Sequence, residues 1–328
     1  MTPSSSPSKA LVVAAFAALY IIWGSTYLGI LYAIESIPPL LMAGARFVTA
    51  GVLLLGWLLA RGEKLPSPRS FGSVAVGGIL MLFAGNGALA WAEQFLPSGL
   101  AAIIVASVPL WFILLDRGQW AHNFRNKKVV LGLLIGFVGV MLLFAGKGSS
   151  NDLYGPGKMV AVLVLMVGTI GWAAGSLYSK YVSADCSTAM KAAIQMLAAG
   201  LVSLAASGIT GEAAHFRLEN VTTASIWALL YLIFFGSFVG YMSYIWLLSV
   251  RPAAQVGTYA YVNPVVAVFL GWLFAGEPIG YQKVLALAVI LGGVLLVNLQ
   301  KKTESPQPEK GEKKREVRKK EPTAAGKT

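Results

Sequence analysis

Ten apolar runs dominate the chain, at roughly residues 11–34, 39–60, 71–92, 97–116, 128–146, 157–180, 187–208, 222–249, 252–275 and 281–299. Each is close to the ~20 residues that a helix needs to cross a bilayer. Charged residues make up only 12% of the chain and mean hydropathy is +0.69, whereas a water-soluble chain carries roughly 25% charge. Lipid is therefore the solvent, and a backbone in lipid must pair within its own segment. The runs are too long for barrel strands, so the expected fold is an all-α integral membrane protein of ten transmembrane helices.

One stretch occurs twice. Residues 91–109 read W-A-E-Q-F-L-P-S-G-L-A-A-I-I-V-A-S-V-P, and residues 246–264, 155 positions on, read W-L-L-S-V-R-P-A-A-Q-V-G-T-Y-A-Y-V-N-P. Trp91, Pro97 and Pro109 thus fall on Trp246, Pro252 and Pro264. At the same offset Phe83, Gly85, Leu115, Lys128, Val129 and Ile135 match Phe238, Gly240, Leu270, Lys283, Val284 and Ile290. Upstream the offset is 149, pairing Trp23 with Trp172 and Gly51 with Gly200; the six-residue change falls in the longer loop at 209–221. Five helices per half is an odd number, so the second copy enters the membrane inverted. This predicts one unit at 11–148 and a second at 149–300, flanked by disordered tails at 1–10 and 301–328. Inverted repeats of this kind hold a small-molecule site at the midplane and alternate its access by rocking one half on the other.

Loop charge predicts the orientation. With a cytoplasmic N-terminus, 21 of the 26 basic residues lie inside and only Lys147, Lys158, Arg217 and Lys283 outside, which puts both termini in the cytoplasm. Ten of those basic residues belong to the tail from Lys301 to Lys327, so the net charge of +12 is no nucleic-acid signal. The tail's glutamates also blunt any attraction to anionic lipid. The expected partners are the bilayer and a small solute, with the chain a monomer or a weak homodimer. Cys186 is the single cysteine, which excludes an intramolecular disulfide, a cysteine-rich zinc site and an iron–sulfur cluster. His122 and His215 fall in loops on opposite sides, and Gly157-Lys158 lacks the remainder of a phosphate-binding loop. No cofactor, metal or catalytic residue is expected.

Several motifs stand in order along the chain: W-G-S-T-Y from Trp23 to Tyr27, A-R-F-V-T-A-G around Arg46, P-S-G-L-A-A-I-I-V-A-S-V-P-L after Leu96, Asn263-Pro264, and G-E-P at Gly276 to Pro278. With these motifs and its inverted duplication, residues 10–300 resemble the EamA-type exporters of the drug/metabolite transporter superfamily. The resemblance implies two inverted five-helix units and export of small metabolites such as amino acids across the inner (plasma) membrane. It also implies a central cavity lined by the first four helices of each half.

Pro109 and Pro264, each deep in an apolar run, leave the carbonyls of Val105 and Ala260 without their usual donors and bend the helix, as gates or as packing bends. Gly85 and Gly240 are the matching hinge candidates. Arg46 is the only formal charge well inside a run, about seven residues or roughly 10 Å from its outer end at 1.5 Å per residue. A charge there costs ~2.5–3.5 kcal/mol on insertion scales, so it should face the interior and find Glu35, Glu93 or a substrate carboxylate. Its repeat mate is Gln195. Glu93 is the nearest carboxylate for a proton or an ion pair; with Asp116 it stands at a helix end.

Trp23 and Tyr27 share a helix face, as do Trp172 and Ser176. With Trp91, Trp111, Tyr241, Tyr244 and Tyr259 they supply walls for amphipathic solutes through apolar and cation–π contact. Thr26, Asn86, Ser107 and Asn263 add polar groups, although Thr and Ser also bond back to their own helices. Tyr20, Trp120, Trp227 and Tyr281 read as interfacial anchors. Gly132-x-x-x-Gly136 and Gly171-x-x-x-Gly175 read as helix contacts. A coupled carrier is the favoured function; an uncoupled facilitator or channel is the alternative, and a membrane-embedded enzyme is the remote one.

Overall fold

Every regular element in the computed structural model is helical among the residues it describes, which are 7–96, 98–144, 157–275 and 280–298. Pro97, the Gly276–Pro278 motif and residues beyond Asn298 lie outside them. The principal helices are α1 (Lys9–Ile34), α2 (Pro39–Ala60), α3 (Pro68–Ala92), α4 (Ser98–Val105), α5 (Val108–Leu115) and α6 (Lys127–Phe144), followed by α7 (Lys158–Tyr181), α8 (Thr188–Ile209), α9 (Thr223–Val250), α10 (Ala253–Val256), α11 (Tyr259–Ala275) and α12 (Tyr281–Asn298). Seven stretches are long and apolar enough to cross a membrane: α1, α2, α3, α7, α8, α9 and Ala253–Leu270. Ile103–Leu115 and Tyr281–Val297 are shorter apolar helices.

Local chemistry sets the helix starts. The Ser8, Ser67, Ser187 and Thr222 hydroxyls cap α1, α3, α8 and α9 by accepting from Leu11, Ser70, Met190 and Ser225 N–H groups. The helix α2 begins with proline and takes its cap from elsewhere: Leu40 and Leu41 donate to a carboxylate oxygen of Glu212, at 2.9 and 3.3 Å. A negative charge at that end also suits the helix dipole.

Two departures from regular helix matter for function. Ile79–Gly87 of α3 and Leu232–Tyr241 of α9 are π-helical, a widened winding that is rare and concentrated at functional sites. They contain the duplicated pairs Phe83/Phe238 and Gly85/Gly240. The proline-bearing runs also differ from expectation, since neither is one helix bent at its proline. The first breaks at Ala106–Ser107, and Pro109 stands in the opening turn of α5, where its missing N–H leaves no gap. The second breaks at Gly257–Thr258, and Pro264 lies inside α11.

Packing pairs the helices across the chain. Close contacts run between α2 and α8, between α6 and α12, between the π segment of α3 and α7, and between that of α9 and α1. Glycine permits the tightest approaches: a Cβ on Gly200 would stand 2.6 Å from the Val48 nitrogen, and one on Gly293 2.5 Å from the Gly136 nitrogen. The outward faces carry exposed apolar side chains such as Val13, Ile21, Val167 and Leu201, as lipid demands. Trp120, Trp227 and Tyr281 are exposed, whereas Tyr20 is half-buried. Its hydroxyl bonds Thr258 Oγ1 at 2.6 Å, tying α1 to the break before α11.

Candidate functional site

Where α1, α2, α3, α7, α9 and α11 converge they enclose about 690 Å³ of space, counting its mouth. Of the residues singled out in the sequence, Trp23, Thr26 and Tyr27 reach it from α1, Arg46 from α2, and Gly85 and Asn86 from the π segment of α3. Trp172 reaches it from α7, Tyr241 from α9, and Tyr259 and Asn263 from α11. Leu82, Leu89, Leu165, Thr169 and Gly236 also line the wall. Sequence gave no sign of these. An apolar or small residue on a helix face carries the same pattern whether it meets a neighbour or a cavity.

Below the cavity Trp23, Trp172, Tyr244 and Tyr259 pack ring to ring. Trp23 meets Tyr259 edge-on with centroids 5.0 Å apart, and Tyr244 meets Tyr259 edge-on at 5.7 Å. The polar tips of Trp23, Trp172 and Tyr244 each have a partner. Trp23 Nε1 donates to the Gly236 carbonyl at 3.1 Å, and Trp172 Nε1 to Tyr244 Oη at 3.0 Å. Ser176 shares a 2.6 Å bond with Tyr244 and donates another to the Trp172 carbonyl. Tyr241 donates to Gln195 Oε1 at 2.8 Å, while Gln195 Nε2 donates to Ser179. Ser176 and Tyr244 therefore belong to this layer and not to the cavity wall.

The wall itself contains polar atoms left over. Arg46 is 4% exposed, and its Nε donates to Ser237 Oγ at 3.0 Å. Of the partners expected from sequence, neither Glu35 nor Glu93 is hydrogen-bonded to it; Ser237 on the π segment of α9 is. The Arg46 Nη1 is buried with no hydrogen-bond partner, as are the side-chain oxygens Oδ1 of Asn86 and Asn263. Thr26 has turned back to its own helix, donating to the Trp23 carbonyl at 2.8 Å.

Other candidates stand apart. Trp111 donates to Ser107 Oγ at 3.1 Å, and Ser107 to the Ile104 carbonyl, so the two serve the break between α4 and α5. Trp91 packs on Phe95 with centroids 4.9 Å apart. Gly240 faces the Trp23 indole so closely that a Cβ there would lie 2.4 Å from Nε1. Glu93 is buried one turn beyond the cavity-lining Leu89. At the far end of α5 the Asp116 carboxylate accepts from the Tyr181 hydroxyl at 2.9 and 3.0 Å.

A lipid-embedded helical bundle that encloses an aromatic cavity with unpaired donors and acceptors is the arrangement of a small-molecule transporter. Comparison with known proteins agrees. The model of the EamA-like transporter family matches residues 10–145 and 159–299. The uncharacterized inner membrane transporter YedA of Escherichia coli K12 is 43% identical over 287 residues, covering 87% of this chain and 89% of YedA. The uncharacterized transporter YvbV of Bacillus subtilis is 27% identical over 87% of this chain and 91% of its own. A crystal structure aligns with a TM-score of 0.72 over 89% of this chain and 98% of its own, at 19% identity, a likeness of fold alone. The chain belongs to the EamA-like transporter family, and it is a membrane transporter and not an enzyme.

Proposed function

We propose that this protein is a secondary transporter of the inner membrane that exports small amphipathic metabolites, amino acids or close relatives, by alternating access. The observation that carries the reading is the unpartnered Nη1 of Arg46 in an aromatic cavity whose other orphaned atoms, Oδ1 of Asn86 and of Asn263, are acceptors. A buried donor left unmade costs ~1–3 kcal/mol, more when charged, so such atoms point to a ligand that completes them. A carboxylate suits the guanidinium, an ammonium suits the two carbonyl oxygens and the aromatic faces, and a zwitterion supplies both.

Ten spans in two inverted five-helix units are supported by the exchange symmetry of the packing. The helices α2 and α8 contain the repeat mates Gly51 and Gly200, and they pack together; so do α6 and α12. The pairing of the α3 π segment with α7 has its counterpart in that of the α9 π segment with α1. With both termini cytoplasmic, the saturated layer of Tyr244, Ser176 and Gln195 lies on the cytoplasmic side of the cavity and the unpaired Arg46 on the outer side. That asymmetry is the signature expected of one end state of an alternating cycle.

The test is uptake by the purified full-length protein in liposomes, screened by competition among labelled L-amino acids. Accumulation against a gradient under an imposed pH difference supports a coupled carrier. Equilibration without accumulation favours the facilitator, and a chemically altered solute overturns transport altogether.

A further inference from the structure

One buried acid is left unused by the cavity. Glu93 closes the C-terminal end of α3, is 7% exposed, and both its carboxylate oxygens are buried with no hydrogen-bond partner among the described residues. Its neighbours along the stretch, Leu89, Ala92 and Leu96, belong to an apolar cluster with Ala101 and Ile104 on α4 and Ala161 and Leu165 on α7, against which Tyr27 and Trp91 pack. Packing does not ask for an acid here. The counterpart at the 155-residue offset is Leu248, 2% exposed, so the other half fills the equivalent position with an apolar side chain. An isolated carboxylate removed from water is costly, and such a group takes up a proton instead.

Among the described residues, the ionisable groups on the elements around Glu93 are few. Tyr27 and Tyr32 belong to α1, with Glu35 at its C-cap; Arg46 on α2 is engaged by Ser237; α4 has none; Lys158 is the first residue of α7, whose Tyr178, Lys180 and Tyr181 stand at its opposite end. Tyr27 packs against the same apolar cluster as the residues flanking Glu93, and it also lines the cavity. A proton arriving at or leaving Glu93 therefore changes the electrostatics of a wall that a solute touches.

We infer that Glu93 is the proton-carrying residue of the transport cycle, taking a proton from the outer aqueous phase and releasing it to the cytoplasm while a solute moves outward. The inference rests on the transport reading above and adds the coupling ion and its site to it. The exchange balances: one proton is bound from water on one side and returned to water on the other, with no other bond changed.

The test uses the full chain in liposomes in two arms. Infrared titration follows the protonated carboxyl band, which should be present near neutral pH in the wild-type protein and lost in Glu93→Gln. The transport arm uses labelled L-leucine, L-phenylalanine and L-threonine. Under an imposed pH difference Glu93→Gln should lose accumulation yet keep exchange of the same solute across the membrane, and Glu93→Asp should keep accumulation with a displaced pH profile. Accumulation by Glu93→Gln equal to the wild type overturns the inference, as does wild-type exchange that moves no protons. Should no probe move at all, it is the transport reading that fails; the infrared arm then stands alone, and a Glu93 carboxyl ionised across the neutral range overturns the inference.

Discussion

Trp23 and Trp172, counterparts in the duplicated halves and 149 positions apart, meet edge to face with ring centroids 5.6 Å apart and planes at 76°. Residues that match at the 149-residue offset are neighbours in space, as the proposed inverted repeat requires. The contact also forms the floor of the cavity, and Trp172 adds a bond to Tyr244. Trp172→Ala should destabilise the protein by ~3–5 kcal/mol, the range for truncating a large buried side chain. Trp172→Phe, which keeps a ring but loses the N–H, should cost about 1 kcal/mol. Thermal unfolding of both variants in one detergent orders them.

Arg46→Ala should abolish recognition of carboxylate-bearing solutes and spare amide or ester analogues that lack the charge. A charge-assisted hydrogen bond contributes ~1.5–3 kcal/mol, or roughly ten- to hundred-fold in the half-saturating concentration. Arg46→Lys should recover part of the loss, since it restores the charge without the planar fork. Normal uptake of carboxylates by a correctly inserted Arg46→Ala protein would mean that the guanidinium serves only to hold Ser237.

Gly78→Ala places a Cβ 2.4 Å from the Cα of Gln195, a backbone atom that cannot step aside. The helices α3 and α8 must separate, with a cost of ~1–3 kcal/mol or more for overpacking. Gly56→Ala meets nothing within 4 Å and should be neutral or stabilise by up to ~1 kcal/mol through helix propensity. The fraction of monodisperse protein recovered after mild heating separates the two.

The two prolines should behave differently, despite matching in sequence. Pro264 interrupts the hydrogen bonding of α11, and Pro264→Ala lets the Ala260 carbonyl regain its donor. A stiffer helix should slow turnover and leave the half-saturating concentration unchanged. Pro109 stands at the start of α5, where no donor is missed, so Pro109→Ala should alter the rate less. Equal rates in both variants would reduce Pro264 to packing.

Asp185, between α7 and α8, accepts from the Ser67 N–H at 3.1 Å, and the Ser70 hydroxyl followed by that N–H holds its carboxyl below the usual range. A depressed value in the folded protein means the tie is complete above the ordinary aspartate range and is lost as pH falls through the lower value. Limited proteolysis of the loops at 61–67 and 182–187 should therefore accelerate in acid, and Asp185→Asn should remove that dependence.

Much of the architecture was legible in the letters. Lipid forbids unpaired backbone, so apolar runs of ~20 residues can only be helices, and their helical character and the spacing of repeated Trp, Gly and Pro residues follow from a linear reading, while seven of the stretches have the length and hydropathy of a span. The chemical character of the site was legible for the same reason: Arg46 in the middle of an apolar run has no place except the interior. What the letters could not say was which polar atoms end up satisfied. Ser237 bonds Arg46 from 191 positions away, Tyr244 and Ser176 bond each other below the cavity, and Asn86 and Asn263 keep free acceptors. The π segments of α3 and α9, and the different breaks before Pro109 and Pro264, were hidden as well. Each depends on distances between helices remote in sequence, and a hydrogen bond is decided by tenths of an ångström that no spacing rule along one chain contains.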